Sequence, residues 1–161
     1  MALLTRVRTS RFRVSAIGER GAELIEFAFV LPVLLFVAFG IIDFGFLFKE
    51  YEVVTNAARE GARLKSLGDS TGYSTADVQS RVQSYIINGG LDGSLVNTAV
   101  NTANIPVNSG GTVNASGSTV QVTYPHRFWV LAGIAQKLGG GFGTATLTAS
   151  STMRSEVQAA P

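Results

Sequence analysis

The chain has 161 residues, no cysteine, one histidine and a net charge of +2. That composition excludes a disulfide framework, a zinc–thiolate site, a cysteine nucleophile and any metal centre built on two imidazoles. The charge is uneven: Arg6, Arg8, Arg11, Arg13 and Arg20 stand against Glu19 in the first 21 residues, and the remainder is net −2, so the basic character describes a leader and not a nucleic-acid-binding surface.

Residues 1–21 read as a basic leader with Ser and Thr and no long apolar run. An apolar stretch follows at 22–48, interrupted by charge beyond Phe27 only at Asp43. As a helix, Leu24 to Phe48 would be about 37 Å long, enough for a hydrocarbon core of about 30 Å with some tilt. Arginines before such a span predict a cytoplasmic N-terminus, with the rest of the chain exported. Glu26 lies at the mouth of the span, where a carboxylate is costly and therefore points to function. Asp43 is expected near the far interface as a solvated residue. Pro32 removes one helical hydrogen bond and predicts a kink or loosening near Ala28. Gly40 and Gly45 leave small faces where another helix could approach.

The helix is expected to continue through 49–67 as an amphipathic segment and to end near Leu67. Tyr51, Val54, Ala58, Ala62 (or Gly61) and Leu64 recur at spacings of three and four, while Glu50, Arg59, Glu60 and Arg63 mark a charged face. Residues 68–161 then read as an exported α+β domain. It opens on a turn cluster at Gly68 to Ser74 and a second helix capped by Thr75, with Asp77 in its first turn. Val78, Val82 and Tyr85 or Ile86 form the inner face of that helix, and Asn88-Gly89-Gly90 ends it. From Leu91 to Ser118 the composition suggests short strands and loops, with apolar pieces at Leu95-Val96, Ile105-Pro106-Val107 and Val113. Val120, Val122 and Tyr124 alternate with polar residues, as do Ala145, Leu147, Ala149 and Met153, predicting strands with one wet face. The helix stripe at Tyr51, Val54 and Ala58 is expected to pack on Val120, Val122, Leu147 and Ala149. Between those strands, Phe128 to Leu138 predicts an apolar loop or short helix closed by Gly139-Gly140-Gly141. Phe128 and Trp129 read as core or interface anchors, and the tail from Gln158 to Pro161 is expected to fray.

Gly21 to Phe48, with Glu26-Phe27, Leu31-Pro32 and Gly40-Ile41-Ile42-Asp43-Phe44-Gly45, resembles the TadE-like proteins, minor pilins or pseudopilins of the Tad (Flp) type IV pilus system. Ala57-Ala58-Arg59-Glu60-Gly61-Ala62-Arg63 resembles the stretch after the membrane helix in that family, and Tyr124-Pro125 and Met153-Arg154-Ser155-Glu156 are also similar. The resemblance is dense over 20–65, moderate over 120–156 and thin between. It implies an α+β, type IV pilin-like fold with no catalysis and no cofactor or metal. It also implies cleavage by a prepilin peptidase between Gly21 and Ala22, which makes Glu26 the fifth residue of the mature chain. The helix-packing positions would be Phe27, Pro32, Gly40, Gly45, Tyr51 and Ala58. The implied partners are the peptidase, other Tad minor pilins, the major Flp pilin and an assembly platform in the inner membrane, where the chain would sit as a single-pass protein.

Glycine has no side chain, so an extended backbone at Gly21 can approach catalytic carboxylates closely. Cleavage there would free an α-amino group able to pair with Glu26 of a neighbouring subunit, offsetting the desolvation of both. Two alternatives remain open. Gly18 with Glu23 satisfies the same spacing, although that cut would leave Arg20 in the mature helix. Ala38-Phe39-Gly40 is a small-x-small triplet of the kind a signal peptidase accepts, and a cut there would release a soluble domain starting at Ile41.

Overall fold

The computed structural model describes residues 15–67, 73–107, 114–137 and 143–156, with backbone only for 15–20, 134 and 135. Outside that range lie most of the basic leader, residues 68–72 of the Gly68–Ser74 cluster, Val113, the Gly139–Gly141 triplet and the C-terminal tail. In chain order the elements are helix α1 (Ser15–Ser66), helix α2 (Thr75–Asn88), strands β1 (Asn97–Pro106) and β2 (Asn114–Arg127), helix α3 (Val130–Lys137) and strand β3 (Thr144–Arg154). A long apolar helix followed by a small antiparallel sheet is an α+β fold. The chain divides into two compact units, Met1–Phe39 and Gly40–Pro161.

In the first unit the described residues are all helical, and helix begins nine residues before the expected Leu24. Helical backbone also continues through Pro32 without interruption. The lost N–H costs one hydrogen bond, and the neighbouring turns keep theirs. From Ala22 to Phe39 every side chain is exposed.

The second unit is built on a three-stranded sheet of order β1-β2-β3, with both pairs antiparallel. Val100 sits opposite Val120, Val122 opposite Ala149, and Tyr124 opposite Leu147. Period-2 alternation turns Val120, Val122 and Tyr124 to one face of β2, as the sequence predicts, and leaves Gln121 and Pro125 exposed. Proline is tolerated at 125 because β1 pairs β2 only up to Thr123, so β2 is an edge there. The residues from 97 to 106 form one ten-residue strand in place of the expected short pieces. Pairing with β2 recruits a sequence whose own strand preference is weak.

Helix α2 is capped by Ser74, one residue earlier than expected. The Ser74 hydroxyl accepts from Asp77 N–H while the Asp77 carboxylate accepts from Ser74 N–H, a reciprocal capping box. The Ser74 hydroxyl donating to Asp77 Oδ2 at 2.8 Å, followed by the Ser74 N–H, holds the Asp77 carboxyl below its ordinary range. The helix ends with Gly90 in the left-handed region at φ 79°, which lets Leu91 N–H return to the Ile86 carbonyl.

The core joins three layers. Val54, Ala57, Ala58 and Ala62 of α1 pack with Val78, Val82 and Ile86 of α2 and with Val120, Val122, Tyr124 and Ala149 of the sheet. Tyr51 does not join them and is 46% exposed. The covered stripe of α1 follows 50, 54, 57/58 and 61/62, and at about 100° per residue Tyr51 falls on its flank. Gly61 marks a close contact with both neighbouring layers, since a Cβ there would lie 2.8 Å from Val82 Cγ2 and 3.1 Å from Val120 Cγ1. Small residues on α1 thus let both neighbouring layers approach its backbone.

Candidate functional site

The sequence singles out the start of the apolar helix. Gly21 is part of α1, and a Cβ added there would meet nothing within 4 Å. Ala22, Glu26, Phe27 and Pro32 follow as exposed helical residues. Large apolar side chains on every side of the helix are uncovered, among them Leu24, Phe29, Val33, Leu34 and Phe36. A helix apolar all round belongs in a core or in lipid. None of this apolar window is buried within the protein, and the helix is long and apolar enough to cross a membrane.

The other proposed packing positions divide. Gly45 is exposed and Gly40 half-covered, each with open space where a Cβ would be. Ala58 is buried against the sheet. Of the six packing residues, Ala58 alone belongs to the core of the domain; the others lie outside it.

A second cluster, not anticipated, lies within the second unit. Asp43 is not solvated; it is 3% exposed. Its Oδ2 accepts from Val130 N–H at 3.0 Å and Leu131 N–H at 2.9 Å, and its Oδ1 from Trp129 N–H at 3.4 Å. These are N–H groups at the start of α3, which its own turns leave without partners. A carboxylate from α1 therefore caps another helix and complements its dipole. One covered face of α1 carries Asp43 and Glu50, seven residues apart, in register with Val54 and Ala57.

Glu50 meets the only histidine. His126 is 3% exposed, and its Nδ1 lies 2.8 Å from Glu50 Oε2. An ionised carboxylate can only accept, so Nδ1 donates. His126 Nε2 is buried without a hydrogen-bond partner among the described residues. The imidazole meets Phe128 edge-to-face at 4.7 Å, and Phe128 meets Phe44 at 6.1 Å. Trp129 is not core, being 86% exposed. Asp43, Phe46, Glu50, His126, Arg127 and Trp129 line a cleft of about 200 Å³.

The parity of β2 offered a signal for His126, because 120, 122, 124 and 126 share the inward face. The 3-4 spacing from 43 through 50 to 54 offered one for Asp43. Among the described residues no group of three or more His, Cys, Asp or Glu could hold a metal.

Residues 21–63 match the family model described as TadE-like protein. The matched segment begins at Gly21 and contains Glu26, Pro32, Asp43, Glu50 and Gly61. No match is found among curated proteins or among solved structures. The TadE-like segment together with a helix fit to span a membrane supports a membrane-associated role of pilin type.

Proposed function

We propose that this chain is a minor pilin or pseudopilin of a Tad-type pilus. It is cut by a prepilin peptidase between Gly21 and Ala22 and retained in the inner membrane by α1. Its role is structural, in pilus assembly and through it in surface adhesion and biofilm formation. The observation that carries this reading is the TadE-like match over 21–63, on a helix whose large apolar side chains from Leu24 to Phe39 are all uncovered. In the assembled bundle the new α-amino group of one subunit pairs with Glu26 of the next and fixes their axial stagger. Phe27, Pro32, Gly40, Gly45 and Tyr51, all outside the domain core, are the positions where other Tad pilins, including the major Flp pilin, and the assembly platform pack.

Gly21 is helical in the intact chain, so the peptidase must unwind the backbone around it. Glycine makes that easier, since it is less favourable than Ala in a helix by about 1 kcal/mol. Co-expression with the peptidase should yield a chain whose N-terminal sequencing begins at Ala22. Gly21→Val should block that cut, and Glu26→Ala should be processed but fail to assemble. Intact chain under peptidase, or normal fibres from Glu26→Ala, would overturn the respective step.

One observation favours the secreted reading: the second compact unit starts at Gly40, beside the signal-peptidase triplet. Against it, the released domain would carry Ile41, Ile42, Phe44, Phe46 and Phe48 exposed to water. Sequencing that begins at Ile41, with the protein in the soluble fraction, would establish the secreted form.

A further inference from the structure

We propose that α3 and Trp129 form a second membrane contact, seated in the leaflet nearer the sheet domain and held there by Asp43. The proposal rests on α1 spanning the membrane, and it concerns a surface that the pilin reading leaves without a role.

Depth is the first argument. The apolar run ends at Phe48, and Lys49 begins the charged segment. Asp43 lies six residues before Lys49, about 9 Å along the helix at 1.5 Å per residue. Its carboxylate binds the N–H groups of Trp129, Val130 and Leu131, so α3 begins at the depth of Asp43. An amphipathic helix lying in a membrane interface seats its apolar side about 5–10 Å into the boundary between headgroups and acyl chains. The two depths agree.

Surface chemistry is the second. Trp129 is 86% exposed. Ile41, Ile42, Phe44, Phe46 and Phe48 are also exposed, on the turns of α1 that surround Asp43. In water these exposed apolar side chains would be a liability, and Phe46 lines the same cleft as Trp129. Indole is enriched at membrane interfaces, where one part of the ring is dry and its N–H wet. Exposed Lys49 follows Phe48 in the chain and exposed Arg127 lines the same cleft as Trp129, cations of the kind that lipid phosphates attract. A pilin partner would cover the apolar surface equally well but gives no reason for cations at its edge, so lipid is the better occupant.

The cap also explains how Asp43 is accommodated in the run. A lone carboxylate at this depth is unfavourable, whereas one that accepts from backbone N–H groups at a helix start is satisfied.

Trp129 is the only tryptophan, so its fluorescence reports this contact without background. The test uses the full chain reconstituted in phosphatidylethanolamine–phosphatidylglycerol vesicles. The chain should float with the vesicles, show blue-shifted emission and resist acrylamide. Lipids brominated near the headgroup should quench it more than lipids brominated at the chain ends. Asp43→Ala should float equally well with a marked loss of lipid quenching. A chain that floats while its tryptophan stays open to acrylamide and unquenched by lipid would overturn the contact and leave the span intact. So would emission that shifts only when a partner pilin is added. Lipid quenching unchanged in Asp43→Ala would overturn the role given to Asp43. Failure to float would overturn both the contact and the anchor on which it rests.

Discussion

Two stretches of the same helix solve opposite problems. From Ala22 to Phe39, α1 carries Phe, Leu and Val on every side, and the protein covers none of them. From Val54 to Ala62 it carries Ala, Gly and Val on one face, and that face is covered completely. The more hydrophobic stretch is the bare one. Burial within a domain is set by how closely a neighbour can approach, and small residues permit that approach. Bulky apolar residues on all sides leave no polar surface for water, so the other stretch needs a different solvent.

The sharpest way to break that contrast is a pair of glycines. Gly61→Val adds bulk where Val82 and Val120 already crowd, and overpacking of this kind costs up to about 3 kcal/mol. Gly45→Val adds it in open space and should leave the stability of the isolated chain unchanged. Hydrogen exchange of β2 amides in detergent-solubilised full chain reads both. Equal protection in the two variants would mean that α1 does not pack on the sheet as described.

Next in size is the carboxylate–imidazole pair. Glu50→Ala leaves both nitrogens of buried His126 without partners, at a cost of about 2 kcal/mol. Combining it with His126→Phe should recover part of the loss, because no polar group is then stranded. A double mutant as unstable as the sum of both single changes would argue that the pair contributes nothing jointly.

The smallest effect is on the charged face of α1. Glu60 accepts from Arg81 Nη2 at 2.8 Å and from Arg63 Nε at 3.3 Å, linking α1 to α2. The Arg81 hydrogen bond, followed by that of Arg63, holds the Glu60 carboxyl below its ordinary 4.5. Its stabilisation is therefore complete above pH 4.5 and is lost as the pH falls through the depressed value. Because the arginines are solvent-exposed, Glu60→Gln should cost only about 0.5 kcal/mol at neutral pH. Urea midpoints should differ between wild type and variant at neutral pH and converge in acid. A difference that persists in acid would assign the effect to something other than charge.

Much of this was legible in the residues. The run from Phe27 to Ile42 shows a stretch long and apolar enough to enter a membrane, and alternation at 120–124 and 145–149 states which faces of β2 and β3 are dry. The TadE-like segment was readable from the same residues that make the helix. Where side chains serve their own element, local chemistry suffices to within a residue: the cap of α2, expected at Thr75, is Ser74 with Asp77 in the first turn.

Other features came only with the packing. Asp43 looked like a solvated end-of-span carboxylate because its partners are backbone N–H groups of residues 129–131, and no side-chain pattern advertises those. Trp129 reads as a core or interface anchor, and only the packing excludes the core, because an indole is equally apolar in a core and on an exposed rim. The weak strand at 97–106 needed β2 beside it to form. The sequence by itself determined where the chain is dry, where it is charged and where it turns, because these are properties of single residues and their local spacing. Only the tertiary structure decided which dry surfaces are covered, which carboxylates are paired, and that the lone histidine meets Glu50, because each depends on two distant segments arriving at the same place.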